Sequence, residues 1–216
     1  MLGLSLSELI TRLITLVVGL SFHEFAHAAT ANAFGDDTPR ANGRLTLNPL
    51  AHLDPIGSLM LIFAGFGWAK PVPIDPYNLD RRSPSAVMWV SLAGPFSNFL
   101  LAMLAAIPLR FGLVPLTYIS SSQFNLSNFL LEFMYINLAL ALFNLIPLYP
   151  LDGEKIASYA FPPALGAFLD SIRPYSMYIL IALFFVLPYL GVNIFSSMVN
   201  PVLTRILSLL LGSNFY

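Results

Sequence analysis

The sequence predicts an all-α, polytopic membrane protein with four to six transmembrane helices, and three observations predict it. Of 216 residues, 57% are hydrophobic and only 10% charged, whereas a soluble domain carries about a quarter charged residues. Mean hydropathy is +0.76. The apolar residues also fall in long runs, several of them close to the roughly 20 residues that a helix needs to cross a bilayer. A formal net charge of -1 leaves no basic surplus, so a nucleic-acid partner has no support and the lipid bilayer is the expected surrounding. The chain has no Cys, which removes disulfides and thiolate ligation; any metal must be held by His, carboxylate or amide groups.

The first run, about Leu9 to Ala33, passes through Ser21-Phe22-His23-Glu24 without a small-residue cleavage site. It reads as a retained helix and not as a signal peptide. The next runs are Ala86 to Leu109 and Asn128 to Leu148, followed by Tyr175 to Leu190 and Val192 to Leu211. Only Gly191 separates the last two, so they form either a helical hairpin or one bent segment, with Pro188 weakening the helix just before. Between Phe34 and Ser85, Gly, Pro, Asn and Asp recur. Within that region Ile56 to Trp68 is apolar but too short to span, which suits a re-entrant or interfacial segment. Pro71, Pro73 and Pro76 forbid a helix over Lys70 to Pro76 and leave an extended edge strand or polyproline II, so the region near 56–76 is expected to be re-entrant or short-stranded.

Lys and Arg orient the chain. The segment Phe34 to Ser85 carries Arg40, Arg44, Lys70, Arg81 and Arg82, and Pro150 to Pro174 carries Lys155 and Arg173, against Arg110 alone in Arg110 to Ser127. The positive-inside rule puts the first two segments in the cytoplasm. The C-terminal end of the first helix, the N-terminal end of the second and the C-terminal end of the third then meet at the cytoplasmic face.

That face holds the chemistry. In His23-Glu24-Phe25-Ala26-His27 the two His differ by about 40° around a helix axis and can grip one ion. Neutral imidazoles bind zinc, and an adjacent carboxylate, Glu24, can take the proton of a water that the metal has acidified. Satisfied core histidines with a chance Glu neighbour are the plain alternative. The bilayer weighs against it, because ionisable groups inside spanning helices are costly and usually functional. Two His leave a catalytic zinc one protein ligand short. The second unusual run is Asn144-Leu145-Ile146-Pro147-Leu148-Tyr149-Pro150-Leu151-Asp152-Gly153, whose prolines break the third helix near its cytoplasmic end and whose Gly153 permits a tight turn. Taken alone, Asp152 reads as an Asp-Gly loop turn.

These motifs together resemble the site-2 protease family, intramembrane metalloproteases of the M50 class. His23 to His27 match its H-E-x-x-H, Asn144, Pro147, Asp152 and Gly153 match its N-x-x-P-x-x-x-x-D-G, and Gly94-Pro95-Phe96-Ser97-Asn98 resembles its G-P-x-x-N. The resemblance covers about Leu9 to Glu154 and implies a zinc metalloendopeptidase. It makes Asp152 the third zinc ligand, Glu24 the general base and Asn144 a substrate or oxyanion donor, although an interhelical hydrogen bond would account for Asn144 equally well. Close packing and a kink suffice for Gly94, Pro95 and Asn98. His52, in Asn48-Pro49-Leu50-Ala51-His52-Leu53-Asp54-Pro55, is read as pinning its loop with Asp54, with a gating or extra-ligand role as the alternative.

The expected organisation is one membrane-embedded metalloprotease domain over 1–216, with the catalytic core at about 9–154 and C-terminal helices at about 175–211. No polar stretch is long enough for an inserted PDZ or nucleotide-sensing domain. A multi-pass protein of the cell membrane, of prokaryotic plasma-membrane type, with its active site toward the cytoplasm and a membrane-protein or peptide substrate, is implied. The competing readings are a non-enzymatic metal-binding or transport protein and a pseudoprotease scaffold. A transporter commonly shows paired halves with polar residues at the midplane, and a pseudoprotease has no use for Glu24.

Overall fold

The computed structural model describes residues 5–57, 67–116 and 124–212. Helix α1 (Leu6–Ala33) starts at a capping box, in which Ser5 Oγ accepts the Glu8 N–H at 3.3 Å and Glu8 Oε2 accepts the Ser5 N–H at 2.8 Å. Two of the donors that a helix start leaves orphaned are thereby satisfied. The chain turns away after α1 at Gly35, whose φ of 85° favours glycine. A short α2 (Thr38–Ala41) and a 3-10 turn (Pro49–Ala51) follow. Helix α3 (Pro76–Arg82) is capped by Asp75, whose Oδ1 accepts the N–H groups of Tyr77 and Asn78 at 3.0 and 3.2 Å.

Helices α4 (Ala86–Arg110) and α5 (Leu126–Asn144) pack with α1 as the central group of three. Small side chains allow the approach: α1 buries Gly19, Ala28 and Ala31, and α4 buries Gly94, Ala102, Ala105 and Ala106. Without a hydrophobic drive between helices in lipid, such close van der Waals packing is what holds them. The sequence carries the third helix to Leu148, but α5 stops at Asn144, because Pro147 has no N–H to continue the helical ladder and disfavours helical geometry at Ile146.

The remaining elements are α6 (Asp152–Ala160), α7 (Pro163–Ile172), a 3-10 turn (Arg173–Tyr175), α8 (Ser176–Ile181), a π turn (Ala182–Val186), α9 (Leu187–Tyr189) and α10 (Ile194–Leu211). The helical path therefore begins at Pro163, well before the expected Tyr175, and includes Arg173. Pro174 does not break it, since it sits in the first turn after Ile172, where no N–H is required. The π turn lies immediately before Pro188, which has no N–H to offer the carbonyl four residues back; the wider turn accommodates that loss. Gly191, at φ 82°, then reverses the chain. Leu203, Leu207 and Leu211 of α10 pack on Ala102, Ala105, Ala106 and Leu109 of α4 and on Met134 and Leu138 of α5, so the last run joins the central group of helices.

Among the described residues, four stretches are long and apolar enough to cross a membrane: Leu6–Ala33, Ala86–Arg110, Leu126–Asn144 and Pro163–Tyr189, with Ser197–Leu211 a shorter apolar helix. This is an all-α membrane protein. Among the described residues there is no strand; Lys70 to Asp75 joins no sheet, and Pro76, expected to continue that segment, instead opens α3 at the first helical position, where a missing N–H costs nothing. Pairing is limited to an isolated antiparallel bridge between Leu53 and Ala69, extended by the Lys70 N–H donating to the His52 carbonyl at 2.7 Å. The bridge brings the two ends of the Ile56 to Trp68 stretch together, and a Cβ on Gly57 would stand 2.2 Å from the Trp68 carbonyl oxygen. Residues 58–66, where the re-entrant segment was expected, lie outside the described residues.

Candidate metal centre

Four structural elements converge at one end of the three-helix group. His23 and His27 lie one turn apart on α1 with ring centroids 4.6 Å apart and planes at 86°. His23 Nδ1 donates to Asn98 Oδ1 at 2.7 Å, and His27 Nδ1 donates to the Val90 carbonyl at 2.7 Å, both partners lying on α4. Because each partner is an acceptor, the ring hydrogens belong on Nδ1 and the Nε2 lone pairs are left to face the site. Asp152 Oδ2, from the first residue of α6, lies 3.1 Å from His23 Nε2 and 3.3 Å from His27 Nε2.

Three acceptor atoms converging inside a protein can be satisfied by a shared cation. One atom from each of His23, His27 and Asp152 falls within a 4.8 Å group. Tetrahedral zinc with ligands at about 2.0 to 2.1 Å has ligand–ligand edges of about 3.3 Å, which both Asp152 distances match. Gly94 keeps the approach to the two rings open, since a Cβ there would lie 2.4 Å from His27 Nε2 and 2.6 Å from His23 Nε2. The donor set, edge lengths and cradle all fit zinc. With protons in place of an ion, burial raises the Asp152 carboxyl pKa, but the His27 charge and hydrogen bonds from His23 and His27 outweigh it and hold the group below the usual carboxylate range.

Local structure explains how Asp152 arrives there. Gly153 is helical and not a left-handed turn residue, a correction to the expected Asp-Gly turn. Its missing side chain matters for approach instead: a Cβ would stand 2.3 and 2.4 Å from the carbonyl oxygens of Leu145 and Ile146, so the first turn of α6 rests directly on the end of α5. Arg173 brackets the same loop, its guanidinium 4.7 Å above the Tyr149 ring and 4.0 Å from buried Glu154 Oε1.

Glu24, buried to 8% exposure, accepts the Val72 N–H on Oε2 at 3.1 Å, which brings the Lys70 to Asp75 segment to the carboxylate at Val72. Asn144 is the last residue of α5 and its Nδ2 donates to the Leu140 carbonyl at 3.0 Å. His52 is fully buried in its loop, its Nε2 bonded to the Thr46 carbonyl at 2.7 Å, and Asp54 Oδ1 accepts the Gly57 N–H at 2.8 Å. Sequence reasoning gave Gly94 and Asn98 only packing roles and passed over Asn137. The available signal was an amide in the middle of each of two apolar helices.

A Bacillus subtilis (strain 168) protein named "Putative zinc metalloprotease YwhC" is 41% identical over 175 residues, 79% of this chain and 78% of the relative. The family model described as Peptidase family M50 matches residues 111–187. The chain belongs to peptidase family M50. The family model's match includes Asn144 and Asp152, while His23 to His27 lie outside it. Two further relatives carry the name "Putative zinc metalloprotease Rip2". That of Mycolicibacterium smegmatis (strain ATCC 700084 / mc(2)155) is 42% identical over 94 residues, 41% of this chain and 35% of the relative. That of Mycobacterium tuberculosis (strain ATCC 25618 / H37Rv) is 31% identical over 173 residues, 78% of this chain and 64% of the relative. No solved structure gives a significant match.

Proposed function

We propose that this M50 protein is an integral-membrane zinc endopeptidase that cleaves membrane-spanning or membrane-associated substrates, with His23, His27 and Asp152 as ligands and Glu24 as general base. The observation that carries the reading is the convergence of three acceptor atoms on the space beside Gly94, one residue along α1 from a buried carboxylate. The relatives' names point the same way.

A zinc ion, when bound, supplies Lewis acidity, bringing the pKa of water toward neutrality and polarising a carbonyl. Glu24 takes one proton from the attacking water as its oxygen bonds the scissile carbonyl carbon. The carboxyl then returns that proton to the amine nitrogen as the C–N bond breaks. The Val72 N–H orients this carboxylate by engaging one of its oxygens. Asn144 donates its amide to the developing oxyanion, in exchange for its bond to the Leu140 carbonyl.

A helical substrate hides its carbonyls in its own hydrogen bonds and must unwind first. Lys70 to Asp75, held to Glu24 through Val72, is the surface along which the unwound strand lies. The protein sits in the cell membrane with this site toward the cytoplasm. Metal analysis of purified protein tests the ligand assignment: wild type should hold about one zinc, and His23→Ala, His27→Ala and Asp152→Ala should each lose most of it. Full zinc in both His variants would overturn the assignment.

A further inference from the structure

Asn98 in α4 and Asn137 in α5 are both completely buried in the middle of predominantly apolar helices. Burying an amide costs free energy unless each polar atom is bonded, and here the bonds form one directed chain. Asn137 Nδ2 donates to the Phe133 carbonyl at 2.9 Å, which turns Asn137 Oδ1 toward Asn98. Asn98 Nδ2 donates at 3.0 Å to that oxygen and at 3.0 Å to the Gly19 carbonyl. Both Asn98 amide hydrogens are then used. Its oxygen has one direction left, toward His23 Nδ1 at 2.7 Å. Gly19 makes room for the arrangement, since a Cβ there would stand 2.9 Å from Asn137 Oδ1 and 3.4 Å from Asn98 Nδ2.

We infer that Asn98 and Asn137 form an amide relay that positions His23, fixing its ring orientation and holding the hydrogen on Nδ1 so that Nε2 presents its lone pair to a metal ion. The relay rests on the reading of His23 as a ligand. It also links α1, α4 and α5, but interhelical bonding alone does not require the chain to end on the ring nitrogen opposite the liganding one. Asn98 is the positioning residue and Asn137 fixes the orientation of its amide. An outer partner of this kind raises ligand basicity and restricts the ring, and its loss typically costs about 10- to 100-fold in metal affinity.

The test measures zinc affinity by chelator competition, the Co2+ absorption spectrum, and the melting temperature of metal-free protein, all in detergent. Asn98→Leu, close in shape but without an acceptor, should bind zinc about 10- to 100-fold more weakly and give an altered Co2+ spectrum. Asn98→Asp keeps an acceptor on His23 and should recover affinity relative to Asn98→Leu, although it melts lower through loss of the donors to Gly19 and Asn137. If Asn98→Asp does not fold, Asn137→Leu provides the second comparison, with an affinity between wild type and Asn98→Leu. A folded Asn98→Leu protein with wild-type zinc affinity and spectrum overturns the relay, as does an affinity that tracks melting temperature alone across the set. His23→Ala is measured beside them: wild-type zinc binding by that variant would remove the ligand reading, whereas its loss together with unchanged Asn98→Leu binding removes only the relay.

Discussion

Replacing Gly94 by Ala adds one methyl at the point where the metal centre has no space for it. The added Cβ would lie 2.4 Å from His27 Nε2, 2.5 Å from His27 Cε1 and 2.6 Å from His23 Nε2. Non-bonded carbon contacts are comfortable near 3.5 Å, so the rings must retreat by about 1 Å, whereas metal–ligand distances tolerate only about 0.2 Å. Zinc affinity should fall by at least about 100-fold, equivalent to about 2.8 kcal/mol. The backbone has little reason to object, because Ala is favoured over Gly inside a helix by up to about 1 kcal/mol; this offsets part of the roughly 1 to 3 kcal/mol that overpacking costs. Metal-free Gly94→Ala should therefore remain folded in a melting experiment while chelator competition shows the affinity loss. Gly166→Ala is the control, since its Cβ would meet nothing nearer than 3.7 Å, and it should bind zinc as wild type does. Equal affinity in folded Gly94→Ala and wild type would refute the cradle.

Gly153→Ala should destabilise the fold by about 1 to 3 kcal/mol and weaken zinc binding, because the methyl would press on the Leu145 and Ile146 carbonyls and lift Asp152 away; chemical or thermal denaturation with and without zinc measures both. Asn144→Ala should lower cleavage by about 10²- to 10³-fold while leaving zinc affinity unchanged, as expected for an oxyanion donor. A steady-state assay that found wild-type turnover would return Asn144 to its bond with Leu140 as a helix-end contact. In a chain with no Cys, a single Asp37→Cys should resist an impermeant thiol reagent in intact cells and react after lysis; labelling without lysis would invert the proposed topology.

The features legible in the sequence were those set by helical repeat and by hydropathy. His23 and His27 had to share a face of α1 because four residues make about one turn, and the apolar runs located α1, α4 and α5 to within a few residues at most ends. Charge asymmetry placed the relevant helix ends together before any geometry was available. Other features depend on atoms distant in sequence. Asn98 and Asn137 carry no local signal that separates a helix staple from a partner of His23, and Gly94 looks like any packing glycine until the imidazoles above it are located. Asp-Gly reads as a turn because it usually is one; Gly153 is helical instead, with the first turn of α6 resting on the end of α5. Arg173-Pro174 looked like a loop, yet a proline in the first turn of a new helical segment costs no hydrogen bond, so the helical path continues through it. Lys70 to Pro76 has strand-like character without a partner strand, and its Val72 N–H goes to Glu24 instead.

The central claim is that Glu24 moves the proton in a metal-dependent peptide hydrolysis. The direct measurement is cleavage of a reconstituted single-span substrate by wild type and by Glu24→Gln, with zinc content determined on the same preparations and His23→Ala and chelator controls excluding contaminating proteases. Gln is close in shape to Glu but cannot accept the proton of the attacking water. Loss of a general base typically costs about 10²- to 10⁴-fold, and because this carboxylate also returns the proton to the leaving amine, the larger loss is predicted, with about one zinc still bound. A zinc-loaded Glu24→Gln protein that cleaves at near the wild-type rate would contradict the account and leave His23, His27 and Asp152 as a binding or structural metal site.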